Sequence, residues 1–404
     1  MAATDAVDAR RLRRSAFVAG IGEGLAAVAL PLLAAGVTRD PLAVAGVVAA
    51  QHLPWVLLAV TQPSLRASDR RTLAGASGSL RALAAAFAGV SVLVGDETIF
   101  KLQVVAFLIG VAQALDDDTQ RLGGQMLPPP GTGMSTSGSL AAAGMLGLGL
   151  LGLPLGGFSY EVLAPVPLLF DVGVFAVAAL LVLSLKRPLV AADGTEQPSW
   201  SPRPSLHAGT GTATAAASLA AVATGAVAGV LVLIALDDLG LGAPAFGLLL
   251  AGLAGSSLVG ALVAPSVAGA VGARTGTVVA LVGSAVAHSA AWYLLDPALP
   301  ILSVAALGAA TAAAMAAGVL LRAQLHGAAG EHVDDEGLRA FHLAVWTATP
   351  VGALLGGLAA RVTESDDVLL GAAVVTAVAA AVACLVAPAA AGRPVRQDDL
   401  VKTP

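Results

Sequence analysis

The chain has 404 residues, 57% hydrophobic and only 12% charged, with a mean hydropathy of +0.85. Soluble domains carry about a quarter charged residues, so this surface cannot be covered for water and most of it must face lipid. The formal net charge of −5, with no basic surface interleaved with aromatics, gives no sign of a nucleic-acid partner.

A helix needs about 20 apolar residues to cross about 30 Å of hydrocarbon. Twelve stretches have that length: 15–36, 41–62, 72–94, 99–120, 136–158, 165–185, 213–236, 241–264, 274–294, 298–322, 338–360 and 367–389. The first follows a polar, basic tail (1–14) and flows on into further spans, which predicts no cleavable signal peptide. It carries Glu23, roughly 12 Å deep at about 1.5 Å per residue, between Gly22 and Gly24. A lone carboxyl there favours its neutral form and is a candidate proton or substrate site; a structural hydrogen bond is the alternative. The second span starts at Pro41 after "TRDP" and holds His52 and Trp55. The third, after "SLRASDRR", holds Arg81, which can pair with Glu23 or an anionic substrate group, or snorkel inward.

The fourth span ends in "ALDDDTQR", with Asp116, Asp117 and Asp118 in a row. Successive helix residues point about 100° apart, so the three acids cannot share one face. Arg66, Arg70, Arg71 and Arg121 lie at the same depth, with Asp69 beside them. The leading expectation is an ionic lock at the inner mouth; proton or cation coupling and a solvated helix end stay open. The fifth span follows the breaker "LPPPGTG" and contains "GLPLGG", with Gly152, Gly156 and Gly157. The sixth carries Asp171, a coupling candidate or a helix-to-helix hydrogen bond.

Residues 186–212 are rich in Pro, Ser, Thr and Gly and read as a cytoplasmic linker between six-span halves, 15–185 and 213–389. His288 in the second half, like His52 in the second span, is a proton carrier or a hydrogen-bonded histidine, and His52 is counted with the coupling candidates. Arg322, His342 and Trp346 join Trp55 as cavity candidates, with packing the alternative for the tryptophans. "GALLGG", with Gly352, Gly356 and Gly357, echoes "GLPLGG"; such strings permit tight helix crossings. Cys384 is the one cysteine, so no internal disulfide or thiolate cluster forms. A tail, 390–404, ends the chain.

With the N-terminus inside, the basic residues of the loops fall on the inner side. Four of the 21 break the pattern: Arg39, Lys101 and Arg361 outside, and Arg81 within a span. This predicts a multi-pass plasma-membrane protein with both termini cytoplasmic.

The run "RRSAFVAGIGEGLAAVALPLLAAGVTRDPLAVAGVVAAQHLPWVLLAV" resembles the start of the major facilitator superfamily, and its enterobactin-exporter-like branch in particular. The matching features are the acid between glycines (Glu23), "ALPL" at 29–32, Pro41-Leu42-Ala43, Asp117, Asp171 and "TPVGALLGGLAAR". Three departures stand out: Gln62 where a glycine is expected, Arg66 where an acid is expected, and Pro154 two positions after Gly152 rather than one. The resemblance implies an all-α membrane protein of twelve transmembrane helices in two pseudo-symmetric halves, and a secondary exporter of a drug-, siderophore- or metabolite-like amphipathic compound. Proton antiport through Glu23 with Asp117, alternating access, a monomer and no cofactor complete that expectation. An importer or facilitator, or a non-transporting sensor or scaffold on the same fold, are the alternatives. No zinc-type spacing, phosphate loop or enzyme constellation is present in the sequence.

Overall fold

The structure is a computed structural model that describes residues 2–61, 70–126, 136–186, 208–328 and 335–385. Among these residues the chain forms twelve helices: α1 (Ala2–Val37), α2 (Pro41–Thr61), α3 (Arg70–Leu93), α4 (Ile99–Met126), α5 (136–162), α6 (Val166–Leu183), α7 (208–238), α8 (Ala243–Val271), α9 (Ala273–Tyr293), α10 (Pro300–Ala328), α11 (Asp335–Val362) and α12 (Asp367–Ala383). Ten are long and apolar enough to cross a membrane. The remaining two, α2 and α12, offer shorter apolar helices, Pro41–Leu57 and Asp367–Ala383. Each matches one apolar stretch because lipid leaves backbone N–H and C=O groups only one another as partners.

The helix ends extend past the apolar stretches where polar residues find partners. α1 begins at Ala2, well before 15, because Ala9 and Leu12 pack with Ala74, Leu140 and Val182. Asp8, itself buried, accepts the backbone N–H of Lys186 at 3.2 Å. α7 begins at Ala208, inside the stretch expected as linker. Between α8 and α9 the chain turns at Gly272, whose φ of +83° is a left-handed value that favours glycine. α5 and α7 each contain a π-helical segment, Gly147–Gly152 and Ile234–Asp238, a local widening of the kind that often marks functional sites.

The halves repeat one packing scheme. α1 packs on α5 and α6, α2 on α4, and α3 on α4 and α6. Correspondingly, α7 packs on α11 and α12, α8 on α10, and α9 on α10 and α12. The halves meet where α5 crosses α8 and α2 crosses α11. The two glycine strings make these crossings possible. Gly152 lies against Ile21 and Gly24 of α1, and Gly156 against Val28; Gly352 and Gly356 lie in the same way against Val222 and Ala226 of α7. The last glycine of each string faces the other half, Gly157 against Ala243 and Pro244 of α8, and Gly357 against Pro41, Leu42 and Ala45 of α2.

The core is joined at one end of the molecule and divided at the other. At the distal end, away from the chain termini, one cluster unites Leu30, Leu33, Val44 and Leu153 with Val230, Leu233, Phe246 and Leu369. At the terminal end, where α1 begins and α12 finishes, two clusters stay within their own halves. One holds Leu12, Leu140 and Val182, the other Leu281, Leu321 and Phe341.

Candidate functional site

Between the divided cores lies a cavity of about 620 Å³. Its walls come from α1 (Ala16, Gly20, Glu23, Ala27), α2 (Gln51, His52, Trp55), α4 (Gln113, Asp116), α5 (Ala141, Gly144, Met145, Leu148) and α11 (Trp346, Thr349). Both halves therefore contribute. The joined core closes its distal side.

Behind the wall stands Arg81, with none of its side chain exposed. Its Nη2 donates to Glu23 Oε1 at 3.0 Å, and Nη1 is 3.7 Å from Asp116 Oδ2. Its guanidinium carbon sits 4.4 Å from the centre of the Phe175 ring of α6, a cation–π contact. Ser77, one turn before Arg81 on α3, donates to Asp116 Oδ1 at 3.2 Å. Glu23 is thus an ion-paired group and not a lone carboxyl. A charge this deep persists only when paired, since removing its partner leaves an uncompensated ion in a poorly solvated place. The two carboxylates keep 29% and 18% exposure toward the cavity, so each can meet a ligand or water while holding Arg81.

The other predicted residues divide. Asp171 is fully buried against Gly22 and Phe175 in the core of its own half. His52 lines the cavity with its Nδ1 2.8 Å from the Val48 carbonyl, and His288 is buried with Nδ1 2.9 Å from the Ser284 carbonyl; both sit as hydrogen-bonded helix histidines. Trp55 and Trp346 face each other across the halves, ring centres 5.5 Å apart, and His342 stacks on Trp346 at 5.6 Å. Arg322 contacts His342, and neither lines the cavity. Of the inner-lock residues, Arg71 donates to the Leu185 carbonyl at 2.9 Å, among other contacts. Asp116 joins Arg81 and Ser77, also among other contacts. Arg66 and Asp69 lie outside the described residues, as do the side chains of Arg70, Asp117, Asp118 and Arg121. Cys384 is exposed.

Two further wall residues are polar but carry no charge, so the sequence marks them with no ionisable signal. Gln51 Nε2 donates to Gln113 Oε1 at 3.3 Å, bridging α2 and α4 on the cavity surface. An amide in an apolar span is a weaker signal than a charge, but it too must find a partner. Together the walls offer amides, two carboxylates and an indole pair, a surface for a partly polar, partly planar organic molecule. Among the described residues, no group of three or more His, Cys, Asp or Glu is placed to hold a metal ion.

No protein-family model matches the sequence, and no curated protein does. Solved structures do. A mutant form of nucleoside transporter NupG is 13% identical, covering 94% of this chain and 99% of that one, with a TM-score of 0.73. A bacterial homologue of iron transporter ferroportin in its inward-facing state is also 13% identical, covering 94% and 98%, with a TM-score of 0.75; the outward-facing state of that homologue scores 0.62. A bacterial metal transporter is 14% identical, covering 94% and 98%, with a TM-score of 0.70. The twelve helices in two alike halves form the major facilitator fold that these similar structures share.

Proposed function

We propose that this protein is a secondary active transporter that exports a small amphipathic organic compound in exchange for protons, working by alternating access as a monomer in the plasma membrane. The observation that carries the reading is the buried Arg81, held by Glu23 and Asp116 in the wall of a cavity shared by both halves and sealed at one end. A shared cavity closed by a joined core is what rocking halves need. Ionisable groups placed at its wall are what coupling to an ion gradient needs. The excess of basic residues at the terminal end supports placing both termini and the cavity mouth in the cytoplasm.

Glu23 and Asp116 are the groups we assign to coupling at the wall, and Trp55, Trp346, Gln51 and Gln113 the groups we assign to substrate contact. An organic cargo fits these walls better than the iron and metal named for two of the similar structures, given the missing donor cluster among the described residues. Export is favoured over import by the exporter-like "GEG" and "ALPL" segments of α1. The test uses everted membrane vesicles, an imposed pH gradient and three fluorescent amphipathic dyes, one cationic, one neutral and one anionic. At least one dye should accumulate with the gradient, stop with an uncoupler, and fail to accumulate with Arg81→Leu. Dye movement equal to that of vesicles lacking the protein, for all three dyes, refutes the reading.

A further inference from the structure

Asp171 and Arg81 are mismatched in a way the ion pairs at the cavity do not explain. Asp171 is completely buried on α6, and among the described residues neither of its carboxyl oxygens has a hydrogen-bond partner. Arg81 is also completely buried, and its Nε and Nη1 make no hydrogen bond there, although Nη1 lies within ionic range of Asp116. Phe175, one turn beyond Asp171 on the same helix, carries Arg81 on its ring. Gly22, the neighbour of Glu23, lies so close to Asp171 that a methyl there would stand 2.5 Å from Oδ1. A small set of unused donors and a small set of unused acceptors thus share one apolar pocket of the N-terminal half.

The charged groups that face Asp171 can be named helix by helix. α1 brings Glu23 and α3 brings Arg81. The outer part of α5, which also packs on α6, has Glu161 as its acid, exposed at the distal end. Asp116 reaches the group only through Arg81. Three carboxyls around one guanidinium cannot all be ionised cheaply in so poorly solvated a place. Glu23 and Asp116 have the cation and partial exposure; Asp171, fully buried, has no hydrogen bond among the described residues.

We propose that Asp171 is the proton-binding site of this arrangement, in which the distal end is closed, and that Arg81 exchanges partners with it during transport. Here Asp171 is neutral and Arg81 pairs with Glu23. In the exchange the proton moves from Asp171 to Glu23, Arg81 turns its unused donors to the Asp171 carboxylate, and the charge of the buried cluster does not change. Glu23, at the cavity wall, then trades the proton with water. The proton is carried by a group that substrate never touches, and Glu23 is the door through which it passes. This inference rests on the transport reading for its purpose but not for its chemistry.

Infrared spectroscopy of the purified protein in liposomes tests it without any transported compound, through the carbonyl-stretch band of a protonated carboxylic acid. Wild type at neutral pH should show a band that is lost as the pH is raised and is missing in Asp171→Asn. In Glu23→Gln, which imitates protonated Glu23 and releases Arg81, the band should vanish at a pH about 1–3 units lower than in wild type, the usual effect of an opposite charge at close range. A wild-type spectrum without the band, or its survival in Asp171→Asn, overturns the site. An unshifted titration in Glu23→Gln overturns the partner exchange, and this variant serves as well should Asp171→Asn fail to fold. If the bands behave as described while no dye moves with a pH gradient, the transport reading fails and this assignment stands.

Discussion

Gly157→Ala is the sharpest probe of how the distal end is closed. A methyl at this position would press on the backbone carbonyl of Ala243 and stand 3.0 Å from Pro244 Cα. Carbon contacts are comfortable at about 3.5–4.0 Å, and backbone cannot swing aside as a side chain does, so α5 and α8 must part by roughly 0.5–1 Å. Overpacking of this kind costs about 1–3 kcal/mol. Under the alternating-access reading proposed above, the seam exists only while the distal end is shut, so the cost falls on this state alone and the balance moves toward the distal-open one by about 5- to 150-fold. Gly352→Ala is the matched control, because its methyl would meet Val222 within the same half and burden both states equally. The assay is the distance distribution between spin labels at Val94 and Leu299, exposed near the distal ends of the two halves, in a Cys384→Ser background. Gly157→Ala should populate a longer distance and Gly352→Ala should not. Equal distributions in the two variants, with equal losses of thermal stability, would refute the argument that this glycine seals the seam.

Arg81→Leu should lower thermal stability by roughly 3–5 kcal/mol, the usual result of stranding a buried partner, toward the low end because Glu23 keeps 29% of its side chain exposed. The double variant Arg81→Leu/Glu23→Gln should recover part of that loss in a thermal melt; additive losses would mean the pair is not coupled. Trp346→Ala should weaken binding of a planar aromatic dye by about 0.5–1.5 kcal/mol, or about 2- to 12-fold, read by fluorescence titration. Single cysteines at Ser68 and Ser199 should react only with reagents applied from the cytoplasm, and one at Ser365 only from outside; the reverse pattern would invert the assigned orientation.

The twelve helices were legible because lipid enforces them: an apolar run of sufficient length has no other stable form there, and Pro, Gly and charge mark each turn. The echo of "GLPLGG" in "GALLGG" likewise announced two alike halves. Contacts between helices were less legible, since they depend on how each helix is rotated about its axis. Glu23 was recognised by depth, yet depth alone did not say whether Arg81 would reach it. In the aspartate triplet, residues about 100° apart offer three facings. That Asp116 turns to Arg81 and Ser77 follows from where α3 lies, which no local pattern records. Gln51 and Gln113 were overlooked because each looks innocuous alone and gains meaning only as a bridge between α2 and α4. The start of α1 was hidden for a related reason. Its polar residues broke the apolar run, while Asp8 was buried by a partner, Lys186, 178 residues away.

The mirrored placement of Gly157 and Gly357 has a bearing on ancestry. Gly157 of α5 rests on α8, and Gly357 of α11 rests on α2, the counterparts exchanged. These are the two copies of one isologous interface, the same patch used twice about a two-fold axis. A six-helix chain bearing both surfaces would make both contacts with a second copy of itself. Joining the copies in one polypeptide turns that association into an intramolecular one, held at the effective concentration set by the connecting segment and no longer by abundance. Once joined, the two surfaces are also free to diverge, so that Gly357 meets the methyl of Ala45 while Gly157 lies beside Gly247. A homodimer would have had to keep them identical.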